Sequence, residues 1–155
     1  MLSTYLRDHH AGATSGVELA KRAARAVRDD PDGAEIARVA AEIARDRRIL
    51  EQVMAALGVA PNRAKDLLAR ALEAASRMKL NNRLVQPSPL SRVVELEALV
   101  IGITGQIALW QALDTVPGLA VDGVDFQALA RQAADLRSRV NDFRLRVAAS
   151  ALRAD

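Results

Sequence analysis

The chain contains no cysteine. That absence excludes disulfide scaffolds, thiolate zinc sites, thiol nucleophiles and redox switches, and it suits a reducing compartment without requiring one. Aromatic side chains are almost as scarce: Tyr5, Trp110, Phe126 and Phe143 are the only four in 155 residues, half of which are apolar. Alanine and aliphatic side chains must therefore fill the core, which points to closely approaching helices rather than sheets. The opening segment, Met1 to His10, has no basic stretch followed by an apolar one, so no secretory signal is expected and the cytosol is the expected location. An excess of charge is also missing. The isoelectric point of 9.9 accompanies a net charge of only +3, because three lysines and nineteen arginines titrate late. The resulting field is modest.

What is present is helical periodicity over a length suited to one domain, residues 1–155. Five helices are predicted, at about 3–28, 32–57, 61–79, 89–113 and 123–152. Ser3 is the candidate N-cap of the first, which carries two neighbouring apolar stripes: Leu2, Tyr5, His9, Gly12, Gly16, Leu19 and Ala23 on one, Leu6, Ala13, Val17, Ala20, Ala24 and Val27 on the other. Asp29 to Gly33 breaks the pattern, and Asp32 with Glu35 has the spacing of a capping box. The second helix runs through Ile36, Val39, Ile43, Leu50 and Val53 to Gly58, a suitable residue just past a helix end. Pro61 suits the first turn of a third helix that Asn81-Asn82 stops, Ser88-Pro89 opens a very apolar fourth, and Pro117-Gly118 turns the chain. The last helix begins near Asp122 or Asp125 and buries Phe126, Leu129, Ala133, Leu136, Val140, Phe143, Val147 and Ala151.

Four long helices in two hairpins, joined by a long connection with a short extra helix, give an all-α bundle with the connectivity of ferritin-like folds. At ~1.5 Å per helical residue and ~3.3 Å per extended residue, that connection can run the length of the bundle. An up-down-up-down bundle with the third helix outside also satisfies the pattern. Tyr5-Leu6-Arg7-Asp8-His9-His10-Ala11-Gly12-Ala13, Lys79-Leu80-Asn81 and the run Ser88-Pro89-Leu90-Ser91-Arg92-Val93-Val94-Glu95-Leu96-Glu97 resemble stretches of a family of uncharacterised bacterial proteins. That family in turn looks like a distant relative of the ferritin-like superfamily. The resemblance spans the chain and implies a fold, with no activity attached.

A ferritin-like di-metal site takes a carboxylate from each of two helices and Glu-x-x-His from each of the others. No Glu-x-x-His occurs here. His9 and His10 are adjacent, about 100° apart round a helix, and so cannot ligate as an i, i+4 pair. Asp135 and Asp142 lie with Arg131, Arg139 and Arg146 opposite the apolar seam. No metal and no cofactor is expected, and no catalytic residue stands out.

Four ionisable residues have mostly apolar neighbours three and four positions away, which share their helix face: His9, Asp46, Glu97 and Arg137. These are the candidate polar residues of the core. Glu18, Glu51 and Glu95 have cations on their own helices and read as solvated pairs. Asp46 lies about fourteen residues into its helix and Arg137 about fifteen into the last, so both fall at mid-bundle. An internal Asp46–Arg137 ion pair is expected, which would fix helix register more than it would add stability.

Ala98 to Gly105 suggests a membrane span, but with Glu97, Gln106 and Gln111 in the wider window it falls short of ~20 apolar residues. A buried central helix is expected instead, with Gly102 and Gly105 allowing close approach and Trp110 in the core or an interface. If one side of this helix is left uncovered, that side is a homodimer face. Arg63, Lys65, Arg70, Arg77, Lys79, Arg83 and Arg92 make the one local basic excess; without interleaved aromatics it reads as a solvated connector rather than a nucleic-acid surface. The expected function is therefore that of a non-catalytic bundle that self-associates or binds a protein partner. Its rivals are a degenerate metal site of His9, Asp46 and Glu97, and a basic-surface binder of nucleic acid or phosphate.

Overall fold

The alternating three- and four-residue spacing of apolar side chains is realised as four long helices. The computed structural model describes residues 1–61 and 89–153, and its helices are α1 (Leu2–Ala26), α2 (Gly33–Ala56), α3 (Pro89–Asp114) and α4 (Phe126–Ala151). The helix expected at 61–79, its stop at Asn81-Asn82 and the loop up to Ser88 lie outside the described residues. In α1 the second stripe became the core face, carrying Leu6, Val17 and Ala20, joined there by His10, Thr14 and, from the end of the first stripe, Ala23. The first stripe faces sideways. In α2 the buried set is Ile36, Val39, Ala40, Ile43, Asp46, Leu50, Val53 and Met54, and α4 buries Phe126, Leu129, Ala133, Leu136, Val140 and Phe143, the expected seam.

The helix ends follow local chemistry, in two places differently from expectation. Ser3 is not a cap, since α1 already begins at Leu2 with Met1 at the N-cap position. Asp32 sits at the N-cap of α2 but makes no capping bond, because its backbone is helical at φ −86°, ψ 0° rather than extended as a capping side chain requires. Its carboxylate meets Arg146 at 3.2 Å instead. Asp125 has the extended geometry, φ −104° and ψ 103°, and accepts the Ala128 amide at 2.8 Å. At the end of α2, Gly58 takes φ +66°; the amide of Val59 bonds to the Met54 carbonyl at 2.8 Å and that of Gly58 to Ala55 at 3.1 Å. This is a complete Schellman motif.

Cross-helix contacts fix order and direction. His10 meets Glu51, so α1 and α2 are antiparallel; Arg22 meets Glu95 at 3.0 Å and Arg92 meets Asp30 at 3.1 Å, so α1 and α3 are too. Trp110 stacks with Phe126 at 6.2 Å between ring centres and Arg144 reaches Glu97, which sets α3 and α4 antiparallel. Along α2 and α4 the level runs from Arg45 with Gln132 to Arg139 with Glu42 and Glu35 and then Arg146 with Asp32. Round the bundle the order is therefore α1, α2, α4, α3. The diagonal pairs α2/α3 and α1/α4 run parallel, and residues 57 and 89 lie at opposite ends.

The Leu90–Asp114 part of α3, 25 residues with a mean hydropathy of 1.6 in its most apolar window, is long and apolar enough to cross a membrane. This corrects the expectation that it is too short: the polar residues Glu97, Gln106 and Gln111 dilute the segment without breaking it. Within the bundle 39% of that window is buried, against α1 on one side and α4 on the other.

The α1–α2 turn depends on Gly33. A Cβ there would lie 2.4 Å from the Val27 carbonyl oxygen and 2.6 Å from that of Arg28, and backbone cannot yield as a flexible side chain would. Gly33→Ala is expected to destabilise the protein by about 2 kcal/mol, read as a lower midpoint in urea unfolding with an unchanged slope.

Candidate functional site

The first apolar stripe of α1 and the Ala98, Gly102, Gly105 edge of α3 face one another across a groove of about 410 Å3, within the ~300–1,000 Å3 range of small-molecule sites. Four glycines line it, Gly12 and Gly16 on α1 and Gly102 and Gly105 on α3. A Cβ added at any of them would meet nothing within 4 Å. The expectation that Gly102 and Gly105 permit close helix approach is thus corrected: the helices do not close there, and the missing side chains leave space.

Asp46 of α2 forms part of the floor and is 3% exposed. Gln106 Nε2 donates to its Oδ2 at 2.9 Å, reaching across the diagonal from α3. Arg45 donates to Oδ1 through Nε at 3.3 Å and through its terminal nitrogen at 3.2 Å. Burial pushes the Asp46 carboxyl above the ordinary aspartate range, opposed by the Arg45 guanidinium and the Gln106 amide. Two other floor residues hold buried donors that find no hydrogen-bond partner among the described residues: Trp110, 0% exposed, at its indole Nε1, and Arg47 at Nε. Such groups cost free energy while unpaired. At the rim stand Tyr5, Asp8 and His9. His9 packs edge-on to Tyr5 at 4.5 Å, and partial burial holds its pKa below the ordinary histidine value against the opposing pull of Asp8.

Of the four polar core candidates, the groove gathers His9 and Asp46 and excludes the other two. Glu97 is exposed and pairs with Arg144 at 3.3 Å; it follows buried Leu96, so its side chain is turned about 100° out of the core. Arg137 follows buried Leu136 and is exposed for the same reason. The Asp46–Arg137 pair does not form, since Arg45 and Gln106 occupy both Asp46 oxygens. His9, Asp46 and Glu97 therefore do not converge, and among the described residues no group of three or more His, Cys, Asp or Glu could hold a metal ion. Of the basic candidates, Arg92 is engaged with Asp30 and the Ala26 carbonyl, while Arg63, Lys65, Arg70, Arg77, Lys79 and Arg83 lie outside the described residues.

The buried histidine is His10, 3% exposed, with Nε2 at 3.0 Å from Glu51. Requiring apolar neighbours on the same helix passed it over, because Arg7 and Thr14 flank it. Its place four residues after Leu6 and four before Thr14, which donates to the His10 carbonyl at 2.9 Å, was the available signal. Glu51, expected in a solvated pair with cations of its own helix, meets Arg47 at 3.4 Å and the buried His10 as well. Glu95 pairs with Arg22 of α1 rather than with Arg92, and Arg139, expected opposite the seam, reaches Glu35 and Glu42 from its flank. Comparison with known protein families, with curated proteins and with solved structures finds no match.

Two outcomes follow from this geometry. Gly12→Ala and Gly102→Ala, each in open space within a helix, are expected to raise stability by about 0.5–1 kcal/mol, measured by thermal or urea unfolding. Asp46→Asn concerns pH. A carboxyl whose folded-state pKa is raised lends most stability below the ordinary aspartate value and loses it as pH climbs through the raised one. The Asn variant is therefore expected to melt above the parent at neutral pH, and that advantage should vanish as the pH falls below about 4.

Proposed function

We propose that the protein is a non-catalytic, cytosolic bundle of ferritin-like connectivity that acts by self-association, with the outer face of α3 as the interface. The observation that carries this reading is the row of apolar side chains left uncovered on α3: Leu90 and Val94 are each 55% exposed and Ile101 is 72% exposed. Val94, Ile101 and Ala108 are seven residues apart, and Leu90, Glu97, Thr104 and Gln111 alternate with them at coiled-coil spacing. An isolated stripe of this kind meets its own requirements in a second copy. If two α3 helices cross antiparallel at Ile101, Val94 faces the smaller Ala108, so bulk meets space.

The ferritin-like part of the reading is supported by the parallel diagonal run of α2 and α3, which calls for a connection between opposite ends of the bundle. The non-catalytic part is supported by the groove's chemistry. Its one buried carboxylate is held by Arg45 and Gln106.

Sedimentation equilibrium or light scattering of the full chain tests the interface. The wild-type protein is expected at twice its chain mass at tens of micromolar, and Ile101→Glu is expected at the mass of one chain with an unchanged circular dichroism spectrum. A wild-type protein that stays at one chain mass at every concentration overturns the proposal. So does an Ile101→Glu variant that remains a dimer.

A further inference from the structure

Two of the polar residues that the sequence marks for a core, Glu97 and Arg137, come to the surface on neighbouring helices. Every residue three or four positions from Glu97 is apolar, as are three of the four around Arg137. Such neighbours share a helix face with the charged residue, yet both Glu97 and Arg137 are exposed. Within the bundle that pattern finds no cover.

Glu97 stands in the outer stripe of α3, between Val94 and Ile101. Arg144 of α4 donates to it at 3.3 Å and holds Asn141 through its other nitrogens, which places that side of α4 along the edge of the stripe. Arg137 precedes Arg144 by two helical turns and so projects from the same side of α4. Because α3 and α4 are antiparallel, Arg137 is level with Thr104, two turns beyond Glu97. Arg137 has no hydrogen-bond or ion-pair partner among the described residues. The stripe is thus bordered by one cation that its own chain leaves unmatched.

A second copy supplies the missing acid if it lies antiparallel. Two antiparallel α3 helices packed face to face are related by a two-fold axis that runs between and across them, which keeps both α4 helices on the same flank. With the crossing at Ile101, Glu97 of each copy comes level with Thr104 of the other, and so with the partner's Arg137. A parallel pair would instead set Glu97 against Glu97 and carry the two Arg137 side chains to opposite flanks. Resting on the self-association reading, we infer that the partner of the α3 face is a second copy docked antiparallel, selected by two reciprocal ion pairs between Glu97 of each copy and the partner's Arg137. Each Glu97 is then held between its own Arg144 and the partner's Arg137, and the like-charge contact of the parallel arrangement is what rejects it.

Sedimentation equilibrium of full-length Glu97→Arg and Arg137→Glu chains, each alone and then mixed in equal amounts, tests the pairing. Each variant alone places like charges across both contacts and is expected to dimerise at least about tenfold more weakly than wild type. Mixed, the two restore opposite charges at both contacts, and the two-chain mass is expected to return with a dissociation constant within about threefold of wild type. An Arg137→Glu chain that dimerises as tightly as wild type overturns the inference and leaves the self-association reading standing, as does a mixture that fails to recover. A wild-type protein of one chain mass at every concentration gives the face to a different occupant and overturns both. Should a charge reversal unfold the chain by circular dichroism, the absence of cysteine allows a milder check of orientation. Val94→Cys chains mixed with Ala108→Cys chains are expected to cross-link on oxidation, while Val94→Cys chains alone are not. Any other pattern overturns the antiparallel docking.

Discussion

A buried carboxylate sets the middle of this bundle. Asp46 has almost no access to water, so its oxygens must be satisfied from within, and the partners available are Arg45 on its own helix and Gln106 on the diagonally opposite one. The Gln106 bond ties α2 to α3 across a bundle in which those two helices otherwise share no close backbone approach. Along the Gly12–Gly16 and Gly102–Gly105 edges α1 and α3 stand apart. The groove is the space that remains.

The same polar tie runs along the floor of the groove. Its charges occur as matched neighbours, Asp46 with Arg45 and Glu51 with both Arg47 and His10. Two buried donors stay unmatched among the described residues, the Trp110 indole N–H and Arg47 Nε–H. Trp110 is in turn held by its stack on Phe126 of α4, so an apolar contact between α3 and α4 fixes an indole whose N–H finds no hydrogen-bond partner among the described residues.

The bundle's two flanks are held by different physics. The α3–α4 side is an apolar seam with Leu129, Ala133, Leu136 and Val140 facing Leu99, Ile103 and Leu113, all buried. The α2–α4 side is joined chiefly by charged and polar reach, from Arg139 and Arg146 of α4 to Glu35, Glu42 and Asp32 along α2 and from Arg45 of α2 to Gln132 of α4. Ion pairs of this partly exposed kind contribute little each, but their spacing along the two helices admits one axial register. Here Arg139, its charge favoured by both glutamates, acts as the central rung.

The sequence by itself determined the helices, the broad faces they bury and the seam of α4, because apolar spacing is a local property that each helix carries alone. It also marked Asp46 as a core residue and Gly58 as a helix end, for the same reason. The two stripes of α1 were both legible, yet which one would become core and which the groove wall was decided only by where α2 and α3 came to rest. His10 was hidden because its burial depends on α2 rather than on its helical neighbours, and Glu97 and Arg137 were misplaced because one residue of helical phase, about 100°, separates a core position from solvent. The partners of Asp46, the direction of α3 and the open space beside its glycines were likewise tertiary decisions. Each depends on the relative height and rotation of separate helices, which no pattern within a single helix contains.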